Sequence, residues 1–296
     1  MRVSLDLKNF TWPGGPPAMG ATMGSIARRA EAAGFYAIWG MDHFFQLPFL
    51  GPAENDMVEV YSLLNFIAGQ TSRVKLGVMV TGVTYRHPGF LVKQVTTLDV
   101  LSGGRAYFGI GAAWFEREHI GLGFPFPPVA ERFRRLEETL KIAKQMWSGD
   151  RGPFEGRHYQ LGETICSPMP VSKPHPPILV GGSGEQKTLR LVARYADACN
   201  VSGSDFTAVK HKLDILRGHC DAEKRDYDTI EKTANLRVQL TSHGRDGSFT
   251  PESALDLFRQ YAALGYSQVN CMVTDMHEPG SLELWAEKVI PAAASL

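Results

Sequence analysis

Short apolar runs alternate with longer stretches of helical period along the whole chain, and this alternation restricts the fold more than any single motif does. The runs fall at residues 3–7, 36–40, 74–80, 105–110, 178–180, 198–201, 236–241 and 269–273. Their β-branched, nearly continuous apolar character suits parallel strands buried on both faces. Between them lie amphipathic stripes. Leu91, Val95, Leu98 and Leu101 step i, i+4, i+7, i+10, with Pro88 placed for a first helical turn. Phe133, Leu136, Leu140, Ala143 and Trp147 repeat the stripe, as do Val209, Leu213, Leu216 and Cys220. Further helices are expected at about 20–33, 58–69, 185–196, 251–264 and 281–292. Eight strand–helix units in strict alternation imply right-handed crossovers and are the count that closes a (β/α)8 TIM barrel, here one domain over residues 1–296. A doubly wound open sheet is the alternative.

Two connections exceed the minimum. Residues 42–58 follow strand two and carry Phe44, Phe45, Leu47, Phe49 and Leu50. Residues 149–177 follow helix four and hold six prolines, which prescribes an extended ordered insertion, not a strand or a helix. The first lies on the C-terminal face of a barrel, where sites are built. Both loops are expected to wall the substrate pocket.

Composition narrows the function classes. The 296 residues include 31 basic and 31 acidic side chains, so no net charge draws the chain to nucleic acid or to an anionic membrane. No run of 18 apolar residues occurs and the N-terminus enters a strand pattern directly, so a cytoplasmic protein is expected. Cys166, Cys199, Cys220 and Cys271 are scattered, with neither CxxC pairing nor zinc-ligand spacing.

Several strand ends carry residue types suited to chemistry. Asp42-His43 closes strand two and is placed for hydrogen bonding or proton transfer to a ligand; a capping Asp beside a surface His is the plainer reading. Phe44 and Phe45 behind the pair would give a flat heterocycle an apolar wall. Strand four ends in Gly109-Ile110-Gly111-Ala112-Ala113-Trp114, which lacks the third glycine of a dinucleotide fingerprint. Its small residues permit close ligand approach or simply make a tight turn, and Trp114 offers a stacking face. Glu116 and His119 have ExxH spacing, but a carboxylate-bridged metal centre needs that motif twice. Gly181-Gly182-Ser183-Gly184 joins strand five to a helix starting near Glu185, presenting free N–H groups to an anion; a merely tight turn is the alternative. No GK[ST] ending and no G-x-S-x-G elbow is present. The inventory suggests a phosphate-bearing aromatic cofactor with neither protein nucleophile nor metal.

These segments together resemble the luciferase-like monooxygenase superfamily, and within it the oxidoreductases that use the deazaflavin coenzyme F420. The carriers are Trp39 to Phe44 with Gln46, Leu76 to Thr81, Tyr85-Arg86-His87-Pro88, Leu98 to Arg105, Gly109 to Trp114, Pro176 to Gly182, and Leu189 to Ala193 followed by Ala196-Asp197. The resemblance implies a barrel that binds its cofactor at the C-terminal mouth and acts on a small-molecule substrate. It places Asp42 and His43 beside the ring, His43 as the catalytic group. It also implies a cis peptide at Met79–Val80 in a bulge ending strand three, with Met79, Val80 and Thr81 against the ring. Gly111, Ala112 and Trp114 would join that site, and Gly181, Gly182, Ser183 and Gly184 would take the cofactor phosphate. One departure stands out. The sugar-phosphate dehydrogenases of this branch carry a catalytic Glu directly after the glycine turn, where this chain has Trp114. An FMN-dependent monooxygenase on the same scaffold is the alternative, and a barrel that binds a chromophore without turnover is the non-enzymatic one. A homodimer paired through helices two and three is implied by resemblance.

Overall fold

Eight parallel strands close on themselves. The computed structural model describes residues 1–296. Its barrel strands are β1 (Arg2–Leu7), β2 (Ala37–Gly40), β3 (Lys75–Val78), β4 (Ala106–Gly111), β5 (Ile178–Gly181), β6 (Ala198–Asn200), β7 (Glu231–Arg237) and β8 (Gln268–Met272). Each pairs with the next, and β8 returns to β1 with Val269 opposite Val3. The expected TIM barrel is therefore the observed one. After β3 the chain breaks at a cis Met79–Val80 peptide, and Thr81–Gly82 then rejoin the edge of β4.

Alternation along the strands sorts side chains into two layers. Val3, Leu5 and Leu7 of β1 face outward into a cluster of 62 buried residues lying between strands and helices. Burial of each large apolar side chain there contributes about 1.5–3 kcal/mol before entropy is charged against it. Inside the barrel the apolar plug is only Ala37, Trp39, Met79, Tyr107, Leu179 and Ala198. Trp39 reaches across to β3, where a Cβ on Gly77 would lie 2.4 Å from its ring. All four cysteines are buried and unpaired, and burial raises the Cys199 thiol to about 12.

The helices are α1 (Gly15–Ala33), α2 (Val60–Ala68), α3 (Pro88–Leu101), α4 (Glu116–Leu122), α5 (Val129–Ser148), α6 (Thr188–Tyr195), α7 (Phe206–Ala222), α8 (Pro251–Ala263) and, after a π turn, α9 (Ile290–Ala293). None is long and apolar enough to cross a membrane. Prolines and caps account for most starts. Pro16 and Pro17 occupy the first turn of α1, so it begins five residues earlier than its apolar stripe. Glu59 caps α2, Asp205 caps α7, and Thr250 with Ser253 forms a capping box on α8.

Three expectations are corrected. Strand seven lies at Glu231–Arg237, not at 236–241. Its alternate residues Glu231, Thr233 and Asn235 are polar, because this part of the barrel interior is hydrogen-bonded instead of oily, so the apolar run beyond it misled the reading. Helix α6 starts at Thr188, because residues 185–187 form a turn first. The proline-rich insertion contains a small antiparallel hairpin, Phe154–Glu155 with Gln160–Leu161. It is pinned to the barrel flank: Asp99 of α3 accepts from Ser172 Oγ at 2.6 Å, and Glu138 of α5 accepts from the N–H groups of Arg157, His158 and Tyr159.

Candidate active site

A cleft of about 440 Å³ opens at the C-terminal ends of β2 to β7. On one wall Asp42, just past β2, is buried with its neighbours. Its Oδ2 accepts from Arg86 at 2.8 Å and from the Gly82 N–H at 3.0 Å, while Oδ1 is buried and has no partner. Burial pushes this carboxyl up, against the pull of the Arg86 guanidinium. Arg86 in turn reaches Glu59, the cap of α2, at 2.7 Å. The carboxylate is thus fixed from behind, with one oxygen uncommitted at the cleft.

His43 is held by a residue 75 positions away. Its Nδ1 lies 2.9 Å from Glu118 of α4. Glu118 is fully buried and also accepts from the Phe44 and Phe45 N–H groups at 2.6 and 2.7 Å and from the Tyr85 hydroxyl at 2.6 Å. Burial alone would raise its pKa, but hydrogen bonds from His43, the Phe45 N–H and Tyr85 outweigh it and hold the carboxyl below its usual range. An ionised Glu118 accepts the Nδ1 proton of His43, which leaves Nε2 at the cleft without a protein partner. Burial and Glu118 both raise the Tyr85 phenol, which stays a donor.

At the end of β4 Ala113 adopts a left-handed φ of 58°, uncommon for a residue with a Cβ. This turn, whose carbonyl accepts from Arg132 at 2.6 Å, leaves Trp114 57% exposed at the cleft with its ring edge-on to His43 at 5.7 Å. Across the cleft, Gly182 is left-handed and the N–H groups of residues 182–184 donate to no protein group. Ser183 Oγ lies 3.1 Å from the Lys212 ammonium, and the buried Thr188 closes the turn. The floor is amide. Asn235 Oδ1 accepts from Asn200 and from Asn270, both at 3.0 Å, which turns its NH2 group toward the cleft.

Residues 3–263 match the family model described as luciferase-like monooxygenase. The chain belongs to this family. Among curated relatives, an F420-dependent glucose-6-phosphate dehydrogenase of Microbacterium testaceum (strain StLB037) is 30% identical over 275 residues, covering 90% of this chain and 76% of the relative. An FMNH(2)-dependent dimethylsulfone monooxygenase of Pseudomonas putida is 30% identical over 135 residues, 46% of this chain and 37% of that one. A monooxygenase structure from Streptomyces bottropensis superposes with a TM-score of 0.82 over 99% of both chains at 18% identity, a likeness of fold.

In this family member the residues expected beside the cofactor line a single cleft: Asp42, His43, Met79, Val80, Thr81, Gly111, Ala112, Trp114 and Gly181 to Gly184. Val80 packs between the strand ends, where a Cβ on Gly111 or Gly181 would lie 2.9 or 2.7 Å from its methyl groups. The expected walls are corrected. Phe44 does not face the cleft, because its N–H turns to Glu118 and its ring stacks on Phe124 at 5.5 Å. No residue of the insertion lines the cleft either; Val129 and Phe133 of α5 stand there instead. The ExxH pair also separates. Glu116 is exposed, while His119 is buried with Nδ1 on the Phe115 carbonyl at 2.8 Å and Nε2 on Thr84 at 2.6 Å. The sequence assigned no role to Glu118, Tyr85, Arg86 or Asn235. Tyr85 and Arg86 share one motif of the resemblance; Glu118 carries no local signal, since its partner comes from another loop.

Proposed function

We propose that this chain is an oxidoreductase that transfers a hydride between the deazaflavin coenzyme F420 and a small organic substrate at the C-terminal mouth of the barrel. The observation that carries this reading is the paired wall of the cleft: an uncommitted, buried Asp42 Oδ1 beside a histidine held at Nδ1 by a buried carboxylate. The residues fit such a cofactor. Asp42 Oδ1 can pair with a ring N–H, residues 182–184 with Thr188 and Lys212 suit a phosphate, and Val80 with Trp114 offers apolar surface to a planar ring.

When bound, the deazaflavin supplies a two-electron hydride donor or acceptor. Asp42 orients the ring and is itself oriented by Arg86. His43 takes a proton from the reacting substrate atom at Nε2, or returns one there in the opposite direction, while Glu118 supports the resulting imidazolium. Asn235 offers its NH2 group to a carbonyl or hydroxyl oxygen. Trp114 gives that side of the pocket an apolar face. The match over nine-tenths of the chain to an F420-dependent relative supports this cofactor, and the shorter match to an FMNH(2)-dependent enzyme supports a flavin monooxygenase as the second reading.

Titration of the apoprotein with oxidised F420 and with FMN, followed by fluorescence, separates the two. Micromolar or tighter F420 binding is expected. Tight FMN binding with none for F420 overturns the proposal, and cofactor binding without turnover on a broad substrate panel points to the chromophore-binding alternative.

A further inference from the structure

No lysine or arginine lines the cleft. Three cations stand close behind its walls, and each is already engaged. Arg86 lies between Asp42 and Glu59. Lys212 is 3.1 Å from Ser183 Oγ. Arg132 donates to the Ala113 carbonyl at 2.6 Å, and its guanidinium lies over the Phe126 ring at 4.1 Å. The N–H groups of residues 182–184 suit an anion, but the F420 reading gives that seat to the cofactor. An anionic substrate beside His43 would therefore meet the Asp42 carboxyl and no cation, and a charge taken out of water without a partner is strongly disfavoured.

What the cleft does offer a substrate is of two kinds. His43 Nε2 and the Asn235 NH2 group face it without protein partners. Around them stand Trp114, edge-on to His43 at 5.7 Å, with Val129 and Phe133 of α5. Trp114 and Val129 are more than half exposed, and large apolar side chains left open in a concave site gain from covering by an apolar ligand. We propose that the substrate is an uncharged, apolar alcohol or ketone, its oxygen held between His43 and Asn235 and its hydrocarbon body laid against Trp114, Val129 and Phe133. The inference rests on the F420 reading above and names a substrate class for the same site. In the oxidative direction the carbinol C–H bond breaks and its hydrogen leaves with the electron pair, as hydride, to the oxidised deazaflavin. The O–H proton goes to His43 Nε2, and the C–O bond becomes a carbonyl. Reduction of a ketone runs the same transfers backward. Arg237, two positions beyond Asn235 on β7, is exposed outside the cleft lining and is the group an anionic substrate at the rim would use instead.

The test has one arm that needs no cofactor. Trp12, Trp39, Trp147 and Trp285 are buried, so a ligand-induced change in tryptophan emission reports Trp114, and Trp114→Phe checks the assignment by removing it. In phosphate buffer, which fills the glycine turn, 1-phenylethanol and cyclohexanol are expected to bind about tenfold tighter than glucose, glucose 6-phosphate or lactate. In the second arm, at saturating deazaflavin, the two apolar alcohols are expected to show the higher kcat/KM. Trp114→Ala is expected to raise their KM about tenfold, the size of one aromatic contact, with kcat within about threefold. Trp114→Phe is expected to restore most of that KM, and Arg237→Gln to change nothing. Glucose 6-phosphate or lactate bound and turned over as well as the apolar alcohols, with a loss in Arg237→Gln, overturns the substrate class and leaves the F420 reading standing. Emission unmoved by both apolar alcohols overturns it too, as does a KM for them that Trp114→Ala leaves unchanged. A protein that binds FMN and no deazaflavin overturns the F420 reading, and the emission arm then decides the substrate class by itself.

Discussion

Glu118→Gln isolates the role of the buried carboxylate behind His43. Glu118 accepts four hydrogen bonds, two from backbone N–H groups and two from His43 and Tyr85. A glutamine of the same shape keeps its oxygen toward the Phe44 and Phe45 N–H groups and turns its NH2 group toward His43 Nδ1. Tyr85 can rotate its hydroxyl and accept. His43 can adapt only by becoming an acceptor at Nδ1, which puts its proton on Nε2 and removes the lone pair from the cleft. Loss of a positioned general base costs about 10²–10⁴-fold in rate. The expected outcome is a fall in kcat of that order with cofactor affinity within threefold. Losing a charge-assisted arrangement in a buried site also costs about 1–3 kcal/mol of stability. The acid limb has a definite sign. The Glu118 pKa is depressed by folding, so its contribution is present above the unfolded value of about 4.3 and is lost as pH falls through the folded value. The melting gap between wild type and variant is therefore expected to narrow as pH falls below the unfolded value and through the lower folded one. Single-turnover rates, cofactor titrations and melts over pH 3–8 read all three. A kcat within threefold of wild type refutes the tautomer argument, as does a double variant with His43→Ala that is slower than either single variant by the product of their losses.

His43→Ala is expected to remove most turnover while leaving cofactor affinity within a few fold; collapsed affinity with normal chemistry per bound cofactor would make His43 a binding group only. Gly109→Ala sets a Cβ 1.8 Å from the Val78 carbonyl oxygen. Backbone cannot yield there cheaply, so a loss of roughly 3 kcal/mol or more, or failure to fold, is expected in denaturant unfolding. Ala113→Gly relieves a left-handed φ and is expected to be neutral or stabilising by up to about 1 kcal/mol in thermal melts.

The barrel was legible because its outer layer obeys simple periods: Val3, Leu5 and Leu7 on a strand, Leu136, Leu140 and Ala143 on a helix all face the same apolar shell. β7 was not, because Thr233 and Asn235 trade apolar character for hydrogen bonds inside the barrel. Cleft residues at strand ends could be found from topology, since a strand's C-terminal end has a known address in this fold. The support behind them could not. Glu118 reaches His43 only because α4 folds back across the mouth, and Phe44 turns away because its N–H is drawn to that same carboxylate. Such pairings depend on loop geometry, which has no period to read.

The amide floor has a consequence for how such a protein can change. Asn200 and Asn235 line the cleft, and the fully buried Asn270 behind them holds Asn235 by a side-chain hydrogen bond. The apolar mass that keeps the strands together lies on their other side, among 62 residues that never meet the cleft contents. Swapping the Asn200 carboxamide at the cleft for a hydroxyl alters what the mouth recognises at the cost of one hydrogen bond, about 1 kcal/mol, and leaves the apolar shell untouched. On such a plan the contacts that select a ligand and the contacts that hold the fold draw on different residues, so one set can change while the other stays.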